Sequence, residues 1–119
     1  MNDVGVLVVD DDRTLLRLMR LTLQDSGLEV TTAANGAEAL ERLETSAPSA
    51  IVLDLEMPEM DGRTFFREMR NRGYTAPVLI LSAYGAREAR RELKAEAHMS
   101  KPFDPEELLA ALLELIQEE

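Results

Sequence analysis

The chain has 119 residues, no cysteine and a formal net charge of −10. Such a length accommodates one domain, 1–119, with a single core, and the lack of cysteine excludes a disulfide framework, a thiolate metal site and a thiol nucleophile. The acidic balance argues against contact with a nucleic-acid backbone, the opening "MNDVGV" has no basic leader, and no apolar run is long enough to cross a bilayer, so a cytoplasmic protein is expected.

In chain order, "VGVLVVD" (4–10) reads as a strand ending in acid. A helix follows, with Asp12 as N-cap, Leu15, Leu18, Met19 and Leu23 at helical spacing, and Gly27 as its stop. "LEVTTA" is a second strand. Asn35 and Glu38 have capping-box spacing and open a helix that turns Leu40 and Leu43 inward. "SAIVLD" (49–54) is a continuous apolar strand ending in Asp54, and the loop "LEMPEMDG" leads to a helix with Phe65, Phe66 and Met69, stopped at Gly73. "PVLILS" (77–82) is a further buried strand ending in Ser82. The charged "AREARRELKAE" precedes a short strand "AHMS"; after Lys101 and Pro102, Asp104 caps the last helix, with Pro105 at its first position. In that helix Leu108, Leu109, Leu112, Leu113 and Ile116 form a stripe wide enough for core packing, or for a dimer or kinase-docking edge.

Five β-α units imply a parallel sheet, because parallel strands need crossovers, and continuous apolar runs fit strands covered on both faces. The expected fold is α/β: a doubly wound five-stranded parallel sheet with helices on both faces. In such folds ligands bind at the carboxyl ends of the strands, near the point where strand order reverses. Here those ends carry Asp10 with Asp11, Asp54, Ser82 and Lys101. Each has a simpler reading alone: a helix cap for the first acids, a turn residue for Asp54, a structural hydroxyl for Ser82, a solvated lysine for Lys101. Together they suit phosphoryl chemistry. Close carboxylates relieve their repulsion on a hard cation such as Mg²⁺, a lysine supplies charge to a phosphoryl group, a hydroxyl donates to it, and a carboxylate is a competent nucleophile. No P-loop or dinucleotide-binding glycine motif is present, and the lone His98 supplies neither a triad nor a zinc site.

"VLVVDDD", "IVLDLEMPEMDG", "LILSA" and "KPF" together resemble the receiver domain of two-component response regulators, over essentially the whole chain. The resemblance implies a flavodoxin-like strand order 2-1-3-4-5 and a switch that accepts a phosphoryl group from a histidine kinase or histidine phosphotransfer protein. Asp54 would be the phosphoacceptor. Mg²⁺ would be held by the acidic pair Asp10 and Asp11, by Asp54 and by the backbone carbonyl of Glu56. Lys101 would neutralise phosphoryl charge, before a cis Pro102, and Ser82 would hydrogen-bond a phosphoryl oxygen. His98 stands where the family usually has a tyrosine or phenylalanine that changes rotamer on activation; it reads first as an aromatic-like spacer, next as a rotamer switch paired with Ser82, and last as a pH-sensitive switch. Such a domain catalyses only its own phosphorylation and dephosphorylation, and its other partners are a second copy or an output domain. A receiver-like module that binds partners without being phosphorylated is the alternative from another class.

A rival resemblance is to the haloacid dehalogenase-type phosphatases, whose first motif matches Asp10, Asp12 and Thr14 and would make Asp10 the nucleophile. It leaves Asp54 and "MPEMDG" unexplained and lacks a further acidic strand end after Lys101. The receiver pattern is also departed from. Ser82 and Lys101 lie nineteen positions apart (101 − 82), roughly one helical turn short of the family's usual spacing, so the fourth helix is expected to be shortened. Its apolar stripe, Ala86, Ala89, Leu93 and Ala97, is narrow. Lys94 stands where the family has glycine; a positive φ there would cost about 1–2 kcal/mol, so a different helix ending is expected. Glu56 and Tyr84 flank the expected phosphoryl site, and the Glu56 carboxylate is expected to slow anionic phosphodonors by repulsion.

Overall fold

The sheet is built from β1 (Gly5–Val9), β2 (Glu29–Ala33), β3 (Ala50–Leu53), β4 (Val78–Ser82) and β5 (Ala97–Ser100), all parallel, in the order β2-β1-β3-β4-β5. The computed structural model describes residues 4–117. The expected doubly wound architecture and strand order are what forms. Strand order reverses between β1 and β3, the two strands that end in Asp10 and Asp54.

Period-two alternation divides the core. Leu7, Val9, Ile51, Leu53, Val78 and Ile80 face the helices α2 (Gly36–Thr45), α3 (Gly62–Asn71) and α4 (Ala86–Leu93). Val6, Val8, Ala50, Val52, Leu79 and Leu81 face α1 (Arg13–Asp25) and α5 (Pro105–Gln117). Both faces of the three central strands are buried, which is why their sequences read as unbroken apolar runs.

The helix starts follow their capping chemistry. The Asp12 carboxylate accepts from the N–H groups of Thr14 and Leu15, at 3.0 and 3.2 Å. Asn35 accepts from the Glu38 N–H at 2.8 Å, and Glu38 reaches back to the N–H of Ala34, one residue before the cap, at 3.1 Å. Asp104 accepts from the Glu106 N–H at 2.8 Å. Gly27 and Gly73 follow α1 and α3 with φ of 91° and 90°, the left-handed geometry that glycine takes without strain.

Three expectations are corrected. Leu18 on α1 is 44 % exposed, so the inward stripe there is Met19 and Leu23 with Leu15 and Leu16 partly covered. On α5 Leu113 turns outward and Leu115 takes the core position, because the buried face runs Leu108, Leu112, Leu115 at spacings of four and three. The stripe of α4 ends at Leu93, since Ala97 already belongs to β5.

With eight residues α4 is the shortest helix, as the contracted spacing predicts. Its ending is not the one expected: Lys94 itself adopts the left-handed conformation, φ 62° and ψ 41°, and its N–H bonds the carbonyl of Arg90. A side chain in this conformation carries strain that glycine avoids. Lys94→Gly is therefore expected to raise stability by about 0.5–1 kcal/mol, the relieved strain less the extra chain entropy of glycine, measured as the urea midpoint at constant m-value.

Candidate functional site at the carboxyl edge of the sheet

Each chain segment delivers its side chain to this edge by a fixed backbone bond. The Asp10 N–H bonds the carbonyl of Ala33 at 3.0 Å and the Asp54 N–H bonds that of Val9 at 2.9 Å, so both acids continue the parallel ladder one step past the strands. The Lys101 N–H bonds the carbonyl of Ser82 at 2.9 Å, and the Lys101–Pro102 peptide is cis, the isomer expected there. Beneath Asp54, α3 begins at Gly62, whose N–H bonds the Leu55 carbonyl at 2.8 Å. A Cβ on Gly62 would collide with the Asp54 carbonyl oxygen, so only glycine lets this helix start against the Asp54–Leu55 peptide. The Asp61 carboxylate caps α3 through the Thr64 N–H at 2.8 Å, which holds its pKa below the usual value.

The loop after Asp54 is also tied to α2. Glu59 takes a positive φ of 66° and accepts from the Asn35 amide at 3.0 Å; the Met60 carbonyl accepts the Gly36 N–H at 3.0 Å. A Cβ on Gly36 would come within 2.7 Å of the Met60 side chain.

Asp10 and Asp54 are buried at 2 % and 6 % exposure, while Asp11 is exposed. One carboxylate oxygen from each of the three lies within 4.8 Å of the others. The Lys101 ammonium is 2.8 Å from Asp10 and 3.7 Å from Asp54. The second Asp10 oxygen accepts the Asp12 N–H at 2.9 Å. Burial and then the Asp10 charge push the Asp54 pKa up to about 6, against the opposing pull of Lys101 and of the N–H groups of Leu55 and Glu56. Burial works against the Lys101 charge, but its hydrogen bond to Asp10 and the charges of Asp10, Asp54 and Asp12 outweigh that and hold its pKa above the usual lysine value.

Three clustered oxygen donors with one short cation suit a hard divalent ion; Mg²⁺, which takes a few carboxylates and keeps several waters, fits this set. Asp10, Asp11, Asp54 and Lys101 are thus brought together. Ser82 and His98 are not part of that cluster. The Ser82 hydroxyl, buried at 1 % exposure, donates to the Tyr84 carbonyl at 3.0 Å within its own loop. His98 lies on edge strand β5, and its Nδ1 is 3.2 Å from the Arg90 guanidinium of α4. Glu56 is exposed beside the cluster. The Asn35–Glu59 bond and the Ser82–Tyr84 bond were not foreseen; the run "SAYG", ending in a left-handed Gly85, was the one local hint of a tight turn after Ser82.

An acidic pocket on a doubly wound sheet, with a lysine held over it, defines a class of α/β phosphoryl-handling domains. Within that class the chain belongs to the response regulator receiver domain family, whose model matches residues 6–113. It is 39 % identical over 117 residues to the response regulator MprA of Mycobacterium ulcerans, covering 96 % of this chain and 50 % of that protein. The chain spans about half the length of the curated relatives it matches. Among solved structures it is similar to the Francisella response regulator 1452 receiver domain, at 30 % identity and TM-score 0.89 over 98 % of both chains. It is also similar to the Vibrio cholerae chemotaxis protein CheY4, at 33 % identity and TM-score 0.88 over 96 % of this chain and 99 % of that one. A receiver domain is the phosphoacceptor switch of two-component systems, and response regulators work with histidine kinases. The phosphatase alternative falls with this membership, and Asp12, which it needs as an acid/base, is spent on capping α1. No helix among the described residues is long and apolar enough to cross a membrane.

The buried acids have a measurable consequence. Unfolded, Asp54 titrates near 3.8; folded, it titrates at about 6. Between those values the folded state binds the extra proton, so stability falls as pH rises through that window and stays low above it. Without divalent cation, Asp54→Asn is expected to raise stability at pH 7.5 by roughly 1–3 kcal/mol, with the gain fading below pH ~4. Urea unfolding of both proteins across pH checks this, and an unchanged or lowered midpoint at pH 7.5 contradicts it.

Proposed function

We propose that Asp54 is the phosphoacceptor of this receiver domain, and that the domain switches between two surface states according to its phosphorylation. The reading is carried by one observation: Asp54 is a buried carboxylate, at the strand-order reversal, with two further carboxylates and an ammonium gathered around it. Mg²⁺ would be held by Asp10, Asp11, Asp54 and the Glu56 backbone carbonyl, and when bound it offsets negative charge on the carboxylates and the incoming phosphoryl group.

The residues then divide the work. An Asp54 oxygen attacks phosphorus in line, the P–N bond of a donor phosphohistidine breaks, and the imidazole leaves with its electron pair and takes a proton. Lys101, already within 3.7 Å of Asp54, follows the transferred charge. The Ser82 hydroxyl releases the Tyr84 carbonyl to donate to a phosphoryl oxygen, so that phosphorylation reorganises the loop entering α4. Water attack on the same phosphorus returns Asp54 and phosphate, which makes the domain a catalyst only toward itself. Its partners are a histidine kinase or histidine phosphotransfer protein on the input side, and a second copy or an output domain beyond.

Intact mass after incubation with Mg²⁺ and acetyl phosphate tests the assignment. A single phosphoryl adduct is expected on the wild type, absent from Asp54→Asn and reduced in Asp10→Asn. An adduct that survives Asp54→Asn and vanishes in Asp10→Asn overturns it. No adduct on any variant, with acetyl phosphate or with a phosphorylated histidine kinase, makes this a binding module that is not phosphorylated. In the same assay Glu56→Asn is expected to be phosphorylated about two- to tenfold faster, since it removes one exposed negative charge from the donor's approach.

A further inference from the structure

The chain carries 13 Lys and Arg residues, and four of them, Arg87, Arg90, Arg91 and Lys94, fall within eight positions. With Ala95 and His98 they line one depression of about 330 Å³ between α4 and β5. Of the acids on this stretch, Glu88 is exposed and makes no ion pair among the described residues, while Glu92 and Glu96 are drawn elsewhere. Glu92 is paired with Arg63 and Arg67 of α3, at 3.2 and 3.5 Å, and Glu96 with Arg70 and the Val78 N–H, at 3.4 and 2.8 Å. Among the described residues no carboxylate pairs with Arg87, Arg90, Arg91 or Lys94.

The charged side chains of the lining are donors only. Guanidinium and ammonium groups have no acceptor, so the 3.2 Å contact of Arg90 with His98 requires an unprotonated Nδ1, leaving the ring's Nε2–H to donate. That contact fixes one guanidinium fork in the wall of the depression. A helix C-terminus attracts one or two cations through its dipole, but it does not gather four of them with an imidazole around one concavity. Lys94 adds a second sign of selection, because it keeps a strained left-handed backbone where glycine would be free of strain.

We infer that the α4–β5 depression binds a small phosphate-bearing anion of nucleotide size, through Arg87, Arg91, Lys94 and the Arg90–His98 pair. Planar guanidinium forks match phosphate oxygens in pairs, and the volume is that of a small-ligand site. An acidic protein segment fits less well: Ala95 is the one apolar lining residue, and a protein interface needs buried apolar or aromatic anchors at its centre. The site's ligand chemistry is the opposite of the acidic pocket's.

His98 is the only histidine, so its ring proton signals report this site without labelling. Sodium pyrophosphate would be titrated into the full chain without Mg²⁺, at ionic strength held constant with sodium chloride. The expected result is a saturable shift of the His98 signals, with apparent affinity at least ~tenfold weaker in an Arg87→Gln/Arg91→Gln double variant. Both arginines are exposed, and an unchanged thermal unfolding midpoint in the variant confirms that the fold is intact. A linear drift matching that in sodium chloride alone overturns the inference, as does a saturable shift unaffected by the double substitution. A polyglutamate peptide that saturates the signals at lower concentration than pyrophosphate assigns the surface to an acidic protein partner instead.

Discussion

One ammonium group standing between two buried carboxylates is the constraint around which the rest is arranged. Lys101 reaches Asp10 at 2.8 Å and Asp54 at 3.7 Å, and no other cation lies within ion-pair distance of either acid among the described residues. Bringing a residue from position 101 to one at position 10 takes four of the five strands, because β1, β3, β4 and β5 must pair in parallel before their ends align. A single positive charge does not balance Asp10, Asp11 and Asp54, and the raised Asp54 pKa reflects first its burial and then the Asp10 charge that Lys101 only partly offsets. The fold thus holds an electrostatic debt at one edge, and any ligand bringing positive charge, or any chemistry consuming a carboxylate's charge, changes the energy of the whole site.

The parts of this arrangement that were legible in the sequence are those fixed by short-range rules. Apolar runs of four or five residues stopped at Asp10, Asp54 and Ser82, the first polar residues at the ends of strands covered on both faces, although all three are themselves buried. Asp12, Asn35 and Asp104 announced helix starts because a side chain that accepts from an N–H two or three residues on leaves a local pattern. What was not legible depends on angles that residue spacing does not determine. Leu113 and Leu115 are both leucines, and the roll of α5 on the sheet decides which is covered. Ser82 reads as a strand-end hydroxyl whichever way it turns, and pattern alone does not say that it points to Tyr84. Lys94 and Glu59 have no intrinsic taste for a positive φ; the surrounding chain imposes it on both.

The likeness to known receivers covers nearly all of this chain and shows the family through the acidic pocket, its lysine and its sheet. The molecule's individual character lies on the opposite side of Ser82, in a helix of eight residues whose outer surface is more basic than the rest of an acidic chain. The two regions are joined by Ala83, Tyr84 and Gly85 on one side and by β5, which runs on to Lys101, on the other.

That short helix is fastened by little. Ala86, Ala89 and Leu93 are its buried side chains, and burial of one leucine supplies only ~1.5–3 kcal/mol, whereas the central strands are covered on both faces. Local opening of α4 therefore requires a small part of the free energy that unfolds the sheet, and its amide protons exchange with solvent through a separate, cheaper fluctuation. The sheet that carries Asp54 is thus the part that opens last, and the helix with the basic outer surface a part that opens at lower cost.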